Sequence, residues 1–283
     1  MIIGIIGNGF VGGAVSNGLS YVRGDNSDIR IYDVNPEKQT HTFDETIQSD
    51  FVFVCLPTPM ESAEGGNCNL VHIENFFSSV PESNSSTFII KSTVPVGTTD
   101  RLCREYPHLK IVHNPEFLTA ANANEDFINA DRTVIGGKEE WVHPVKEMYE
   151  KMFSDIPVVT MSSSESECVK YFANCFLATK VMVFNEMKLL ADEIEGVNYD
   201  NVMRGVISDR RIGKSHYEVP GPDGDYGFGG TCFPKDINAL IHIMQDKGLV
   251  PLVLKSVWEQ NKNYRNHWDW ADNESAVLKG IKQ

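Results

Sequence analysis

The N-terminal segment constrains the fold more than any other part of the chain. Residues 1–6 form an apolar run typical of a buried strand, and residues 7–12 follow it with the pattern GxGxxG. Apolar side chains then recur at helical spacing at Val15, Leu19 and Val22. A strand, this glycine pattern and a helix in that order are typical of dinucleotide-binding domains, where the pyrophosphate lies on the helix N-terminus. The predicted cofactor contacts in this segment are Gly7, Asn8, Gly9, Phe10, Val11 and Gly12.

An acidic residue after the next strand indicates which dinucleotide binds. The strand pattern that begins at Ile29 ends at Asp33, close to the distance at which a carboxylate accepts hydrogen bonds from the adenosine ribose hydroxyls. A carboxylate at this position would repel a 2′-phosphate. The expected cofactor is therefore NAD rather than NADP, and the alternative is a glycine turn followed by an ordinary surface aspartate.

Strand and helix patterns alternate along the first part of the chain. This βαβ alternation predicts an α/β fold with a parallel, doubly wound, Rossmann-like sheet. The predicted strands are Ile2–Ile6, Ile29–Asp33, Phe51–Leu56, Phe88–Lys91, Lys110–Val112, Thr133–Ile135 and Val158–Thr160.

The alternation ends at a serine-rich stretch, and helical patterns follow it. Ser164 and Glu167 have the spacing of a capping box, which predicts the start of a long helix that ends at Gly196. We therefore expect an NAD-binding domain at 1–161 and an all-helical domain at 162–283. The further predicted helices cover 200–207, 237–247 and 251–268, and the polar tail after Trp270 is expected to be frayed.

Composition excludes several classes of function. The chain has 283 residues, 41% of them hydrophobic, and no apolar run reaches the length of a membrane span. A formal charge of −14 argues against nucleic acid and anionic membrane surfaces as partners, because both require a basic face. The N-terminus lacks the basic region of a signal peptide, and the six cysteines form no CxxC pair. We expect reduced thiols, no metal site and a cytoplasmic location.

A glycine-rich segment at residues 227–236 presents a candidate nucleophile. Pro234 suits the first turn of a helix, and the apolar spacing from Ile237 onward predicts that helix. Cys232 then lies just before a helix N-terminus, where unpaired N–H groups and the helix dipole favour a thiolate. A small, buried and inert cysteine is the alternative.

A lysine and an asparagine on the long predicted helix form a second candidate pair. Lys170 and Asn174 are four residues apart, so they project from one face of that helix. Spacing alone favours a lysine that extends its ammonium to solvent past its apolar neighbours.

Six sequence blocks occur in the order found in one enzyme family. At these residues the chain resembles the UDP-glucose/GDP-mannose dehydrogenase family, and within it the members that oxidise UDP-glucose. The blocks are the N-terminal glycine motif, KSTVPVG at 91–97, NPEFL at 114–118, KYFAN at 170–174, DRRIG at 209–213 and GFGGTCFPKD at 227–236.

The resemblance implies an NAD-dependent oxidation of a nucleotide sugar at its C6 alcohol, UDP-glucose to UDP-glucuronate, through a thiohemiacetal and a thioester on Cys232. It implies that Lys170 stabilises negative charge on the substrate oxygen, with Asn174 as a hydrogen-bond partner, and that Glu116 is the acid/base of the hydrolytic step. Asp236 and Thr93 match residues that orient water and the substrate hydroxyl. The alternatives are a helix cap for Asp236, a strand end for Thr93 and a surface acid for Glu116.

The resemblance also implies residues that line the cofactor and the substrate, and a homodimer. Arg211 matches an arginine that reaches the substrate from a neighbouring subunit, and the central helix matches a dimer interface. We expect the apolar residues Phe176, Val183, Met187, Val253, Val257 and Trp258 to contribute to that interface. The further implied cofactor contacts are Lys38, Leu56, Pro57, Thr58, Pro59, Ser92 and Thr93, and the substrate contacts are Glu116, Phe117, Leu118, Lys170, Asn174, Tyr226, Gly227, Phe228 and Gly229, within a loop from Asp223 to Gly229.

The sequence departs from the family pattern in two places. Ala120 and Ala121 stand where relatives have a second acid and a glycine, so one contact is expected to be missing or supplied elsewhere. The resemblance also implies that this chain lacks the C-terminal domain that grips the nucleotide in relatives. GDP-mannose and UDP-N-acetyl-hexosamine therefore remain alternative substrates, and a non-catalytic NAD-binding partner of full-length relatives is the alternative from another class.

Overall fold

The computed structural model describes residues 1–23, 28–119 and 121–278. The chain divides into two compact units, the first made of Met1–Thr58 and Leu70–Lys170 and the second of Pro59–Asn69 and Tyr171–Gln283. This division differs from the predicted boundary between 161 and 162 in two respects. The first turns of the long helix belong to the first unit, and a short excursion of the chain, Pro59–Asn69, belongs to the second.

The seven strands of the large sheet occupy the predicted segments, with ends that differ by one or two residues, and two further strands form a hairpin. They are β1 (Ile3–Ile6), β2 (Ile29–Tyr32), β3 (Phe51–Val54), β4 (Met60–Ser62), β5 (Gly65–Cys68), β6 (Thr87–Ile90), β7 (Lys110–His113), β8 (Thr133–Gly136) and β9 (Val158–Met161). All but β4 and β5 belong to one sheet of the first unit, in the order β2-β1-β3-β6-β7-β8-β9. The pair β4 and β5 forms an antiparallel hairpin in the second unit, which the sequence patterns did not predict.

The direction of the last two sheet strands corrects the prediction of a fully parallel sheet. Strands β2 to β7 run parallel, whereas β8 pairs antiparallel with β7 through His113 and Gly136, and β9 is parallel to β8. A parallel neighbour requires a crossover, usually a helix on the sheet face. The connection from β7 to β8 carries only the short helix α5 (Ala123–Ile128), which packs against α1 (Phe10–Arg23), and the chain therefore enters β8 from the opposite end.

Alternate side chains of the strands are buried on the two faces of the sheet. Phe53 packs in a core cluster with Val15 and Val145, whereas its neighbour Val52 packs in a second cluster with Phe77. Both faces are apolar because helices cover both, as expected of a doubly wound sheet. The remaining helices are α2 (Phe43–Ile47), α3 (Val71–Ser79), α4 (Thr98–Glu105), α6 (Glu139–Met152), α7 (Ser163–Glu193), α8 (Tyr199–Val206), α9 (Cys232–Asp246) and α10 (Leu252–Tyr264).

The long helix α7 begins with a different capping box from the predicted one. Glu165 accepts hydrogen bonds from the backbone N–H and hydroxyl of Ser162, and Ser162 Oγ accepts from the N–H of Glu165. Glu167 instead is buried and accepts the N–H groups of Gly97 and Thr99 at the start of α4. Two serine–glutamate pairs with the same spacing overlap here, and burial of Glu167 selects the first as the cap. No helix in the described ranges is both long and apolar enough for a membrane crossing.

The second unit is built around α9, α10 and the hairpin β4–β5. The indole N–H groups of Trp258 and Trp270 donate to the carbonyls of Glu64 and Ala63 in the hairpin turn. Backbone hydrogen bonds also join Met60 to Ala276 and Leu278. The expectation of a frayed tail is therefore wrong as far as Leu278, because Trp270 and the hairpin hold this segment.

Apolar side chains on the surface of the second unit match the interface prediction only in part. Phe176, Val183 and Met187 on α7 and Val253 on α10 are exposed. Val257 and Trp258 are buried within the unit. These two residues are therefore not available to an interface, and the Trp258 indole instead donates to the Glu64 carbonyl in the hairpin turn.

Candidate functional site

The glycine motif forms a close turn between β1 and α1. A Cβ added to Gly12 would lie 1.8 Å from the carbonyl oxygen of Gly7, so only glycine permits this approach. A Cβ at Gly9 would meet no atom within 4 Å, which leaves that side of the turn open in front of the α1 N-terminus. This arrangement fits a dinucleotide pyrophosphate, because unpaired N–H groups at a helix start bind phosphate oxygens. Val11 is half-buried behind the turn, and Phe10 is exposed.

Asp33 lies beside the glycine turn at the end of β2. One of its carboxylate oxygens accepts the N–H of Asn8 at 2.6 Å, and the other accepts the N–H of Asn35 at 2.8 Å. The Asn8 side chain donates to the carbonyl of Lys38 at 2.9 Å, which joins the short helical turn after β2 to the glycine turn. Carboxylate oxygens have further lone pairs, so Asp33 can still accept bonds from ribose hydroxyls. The structure thus brings together Asn8, Asp33 and Lys38, as predicted for a cofactor site.

The loops after β3 and β6 are joined by hydrogen bonds. Ser92 Oγ donates to the carbonyl of Leu56 at 2.6 Å, and Thr58 Oγ1 donates to the carbonyl of Thr93 at 2.7 Å. Four of the predicted cofactor contacts therefore meet at the carboxyl ends of neighbouring strands, where ligands bind in open α/β sheets. Pro57 is exposed between them, and Pro59 begins the hairpin segment of the second unit.

Glu116 and Lys170 form a buried ion pair in the first unit. Lys170 Nζ donates to Glu116 Oε1 at 2.8 Å and to the Glu116 carbonyl, and the side chains are only 2% and 6% exposed. The second oxygen of Glu116 accepts the N–H of Leu118 at 2.7 Å, and the Lys170 ammonium lies 5.3 Å from the centre of the Phe117 ring. The structure therefore contradicts a surface acid at Glu116 and a solvent-exposed ammonium at Lys170.

Sequence reasoning missed a second buried lysine in this unit. Lys91 Nζ donates to Asn114 Oδ1 at 3.0 Å, and the Tyr149 hydroxyl donates to the same oxygen at 2.6 Å. Burial lowers the pKa of Lys91 to about 8. The sequence contained one signal for this lysine, its position directly after the apolar strand β6. A charged side chain that follows a buried strand is often buried with the end of that strand.

In the second unit, Cys232 is the first residue of α9 rather than the residue before it. Its thiol lies 3.7 Å from the Thr231 hydroxyl. One turn further along α9, the buried Asp236 accepts the Asn174 side-chain amide at 2.6 Å. Asp236 is thus inside the helix and does not cap it, which rules out that alternative. The structure brings Asn174 and Asp236 together across 62 residues of sequence.

Lys235 is a further charged group beside the thiol that the sequence patterns did not identify. Its ammonium lies 2.5 Å from an Asp236 carboxylate oxygen. Burial alone would lower the pKa of Lys235, but the negative charges of Asp236, Cys232 and Cys68 together raise it above its ordinary value. The Lys235 ammonium therefore provides a positive charge within electrostatic range of the Cys232 thiol.

The predicted substrate loop leads directly to Cys232, whereas Arg211 lies in an exposed turn. Phe228 and Gly227 are buried, Tyr226 and Gly229 are half-buried, and the Phe228 ring packs on Phe233. Arg211 has an 88% exposed side chain and pairs with Asp209 in its own turn. Ala121 is exposed at the start of a turn, and Ala120 lies outside the described residues.

Both units match domains of one protein family. Residues 37–155 match the NAD-binding domain of the UDP-glucose/GDP-mannose dehydrogenase family, and residues 164–263 match its central domain. The cofactor prediction, NAD, is confirmed by the first match. The fold is also that of solved relatives: a UDP-glucose dehydrogenase from Pyrobaculum islandicum is 28% identical with a TM-score of 0.80, covering 92% of this chain and 68% of that one.

Curated relatives are similar over most of this chain. The UDP-glucose 6-dehydrogenase of Pseudomonas aeruginosa is 34% identical over 227 residues, which are 75% of this chain and 48% of the relative. That of Rickettsia felis is 31% identical over 257 residues, 88% of this chain and 55% of the relative. The chain thus spans about half the length of the curated relatives it matches. The chain belongs to the UDP-glucose/GDP-mannose dehydrogenase family.

Proposed function

We propose that this chain oxidises the C6 primary alcohol of a nucleotide sugar to a carboxylate, with NAD as the oxidant and UDP-glucose as the favoured substrate. The observation that carries the proposal is the set of groups at the start of α9. Cys232 is the first residue of this helix, and Asp236, one turn later, is hydrogen-bonded to Lys235 and to Asn174 on α7. A binding protein has no need of a thiol with such neighbours. We place the reaction in the cytoplasm, because six cysteines at irregular spacing without a CxxC pair are typical of reduced thiols.

The first oxidation requires that the alcohol lose a proton as its carbon loses a hydride. NAD, when bound at the glycine motif, accepts the hydride of each oxidation. Lys170 stabilises the negative charge that develops on the substrate oxygen, and its position is fixed by Glu116 and by the Phe117 ring. Preorganised donors in a site without water are often the largest catalytic contribution. Thr93 orients the substrate hydroxyl.

The second oxidation requires that the aldehyde stay bound, and Cys232 performs this role. Its sulfur attacks the aldehyde carbon, the carbonyl oxygen takes up a proton, and a thiohemiacetal forms. Loss of a hydride and a proton from this adduct yields a thioester. The Lys235 ammonium provides positive charge near the sulfur, and Asn174 fixes the Asp236 carboxylate that orients water.

Hydrolysis of the thioester completes the reaction. Water adds to the thioester carbon, the carbon–sulfur bond breaks, and the carboxylate leaves while the thiol is restored. Glu116 accepts the proton of the attacking water, since a carboxylate is a suitable general base. One water and two hydride equivalents thus account for the conversion of alcohol to carboxylate.

Two other functions are tested by the same experiment. GDP-mannose or a UDP-N-acetyl-hexosamine is the alternative substrate, and NAD binding without turnover is the alternative from another class. Purified protein, NAD and a panel of nucleotide sugars, with NADH absorbance as the readout, separate them. We expect two equivalents of NADH per molecule of UDP-glucose. NADH formation with a different nucleotide sugar alone would identify that sugar as the substrate. No NADH formation with any sugar of the panel would favour the binding function.

The cofactor site predicts a preference for NAD over NADP. The Asp33 carboxylate would lie next to the 2′-phosphate of NADP, and a close pair of like charges costs several kcal/mol. We expect NADP to bind about 100-fold more weakly than NAD in a fluorescence titration. In Asp33→Asn the difference should shrink to about tenfold or less, and equal or tighter binding of NADP by the unmodified protein would contradict the assignment.

We further propose a two-fold dimer through α7. Its exposed apolar residues Phe172, Phe176, Val183, Met187 and Leu190 follow one another at intervals of three, four or seven residues along the helix. Such spacing makes a continuous apolar stripe, and exposed stripes of this kind usually mark an interface. A second copy of the chain covers the stripe symmetrically, and Arg211, whose side chain is exposed on the same unit, is available to a neighbouring subunit.

The dimer proposal predicts a mass near twice 31.7 kDa in light scattering at micromolar concentration. Phe176→Glu should yield a folded monomer, because it places a charge in the centre of the stripe. Tyr21→Glu, a similar change at an exposed residue of α1, should leave the mass unchanged. A monodisperse, fully active monomer of the unmodified protein would refute the proposal.

A further inference from the structure

The loop before Cys232 is held from one side by the C-terminal end of α10. Asn261 is fully buried, and its side chain bonds the Phe228 backbone in both directions, accepting the N–H at 2.7 Å and donating to the carbonyl at 3.0 Å. The N–H of Gly227 donates to the side chain of Asn185 on α7 at 2.9 Å. The centre of the loop thus has its backbone polar groups satisfied by side chains rather than by neighbouring backbone.

Arg265, directly after α10, connects the two ends of the same loop. Its side chain is only 4% exposed, and its guanidinium lies 2.5 Å from Asp223 at the beginning of the loop and 3.1 Å from Asp269. Asp269 in turn accepts the N–H of Gly230 at 2.8 Å, two residues before Cys232. Charge-assisted bonds of this kind are short and directional, so each fixes both position and orientation.

The loop backbone packs closely against the side chains of Arg265 and Asp269. A Cβ added to Gly229 would lie 2.6 Å from an Arg265 guanidinium nitrogen and 2.4 Å from an Asp269 oxygen. Asp225 adds a second anchor, since its carboxylate lies 3.6 Å from Arg265 and accepts the backbone and side-chain N–H groups of Asn266. Ion pairs and hydrogen bonds therefore hold a loop that has no regular secondary structure.

We propose that Arg265 and Asp269 are positioning residues that hold loop 223–230, and with it Cys232, in the conformation that binds the nucleotide sugar. The inference rests on the proposed function in one respect, the identity of the ligand. Its physical basis is that a loop ordered in the free protein need not lose its conformational entropy when the sugar binds. Release of the loop therefore weakens sugar binding and leaves NAD binding in the first unit unchanged.

Hydrogen exchange and binding together test the inference. In Arg265→Gln we expect amide exchange of the peptide spanning residues 223–231 to rise at least tenfold, KM for UDP-glucose to rise about tenfold, and the Kd of NAD to stay the same. Arg265→Lys should restore part of both effects, because it retains one ion pair. The matched control is Glu259→Gln on α10, whose carboxylate is exposed and pairs only with Lys262 at 3.2 Å among the ion pairs of the described residues.

Milder variants keep the test decisive if Arg265→Gln does not fold. Asp223→Ala and Asp269→Ala change partly exposed partners, and we expect each to raise loop exchange. The exchange result does not depend on turnover, so unchanged exchange in all three variants overturns the inference. Unmodified protein that neither binds nor oxidises UDP-glucose would overturn the proposed function and the sugar-binding half of the inference, while the exchange result would still decide the anchoring.

Discussion

Replacement of Cys232 by alanine is expected to abolish net turnover of the nucleotide sugar to the acid. Without the thiol the aldehyde has no covalent anchor, and we expect acid production to fall by at least about 10³-fold, as for the loss of other nucleophiles. The side chain is half-buried and small, so the variant should fold normally. The measurement is NADH absorbance, together with chromatographic detection of the acid.

The serine variant separates the two oxidations. In Cys232→Ser we expect the first hydride transfer to persist and the second to stop, because an alcohol is a much weaker nucleophile than a thiolate and does not form the thioester. The stoichiometry should therefore fall from two NADH per sugar to one, with aldehyde detectable by hydrazine trapping. A matched control is Cys103→Ala, whose thiol has its pKa raised to about 11 by burial and whose loss should not change activity.

A direct observation of the adduct completes this prediction. Glu116→Gln should slow hydrolysis, so that the substrate acyl group accumulates on the Cys232 peptide in mass spectrometry. Undiminished acid production by Cys232→Ala would rule the covalent mechanism out, and an adduct on another cysteine would reassign the nucleophile.

Local patterns predicted most of the sheet and failed where long-range packing decides the outcome. The strands of the sheet follow from apolar runs such as that at β1, since both faces of the sheet are covered. The antiparallel direction of β8 does not follow from such runs. We attribute it to the packing of α5 on α1, where Gly18 accommodates the Phe127 ring. The hairpin β4–β5 was missed because its strands are short and have little apolar alternation, and β5 begins with two glycines. The hairpin turn is instead held by Trp258 and Trp270.

The candidate site shows the same division. Cys232 was identified from a local signal, a proline and helical spacing just beyond it. The contacts around Cys232 and its loop join residues that are far apart in the sequence. Asn174 is hydrogen-bonded to Asp236, 62 residues away, and Arg265 to Asp223, 42 residues away. No spacing rule connects residues so far apart, so Lys91 and Arg265 could not be assigned partners from the sequence.

The buried ion pair of Lys170 and Glu116 yields the second prediction of large effect. Lys170→Met is expected to lower kcat by about 10²- to 10³-fold, as does the loss of one preorganised donor in other enzymes. The same change leaves the Glu116 charge buried without its partner, which should reduce the free energy of unfolding by about 3–5 kcal/mol. Chemical denaturation measures the stability, and the rate of NADH formation measures kcat.

A double variant separates these two consequences. In Lys170→Met combined with Glu116→Gln no uncompensated charge remains, so most of the stability should return, whereas activity should not, because both catalytic groups are absent. The matched control is Lys146→Met on α6, whose exposed partner Glu150 lies 3.6 Å away. That change should cost less than about 1 kcal/mol and leave kcat unchanged. Recovery of activity along with stability in the double variant would mean that the pair only maintains the fold, and Lys170 would lose its place in the mechanism.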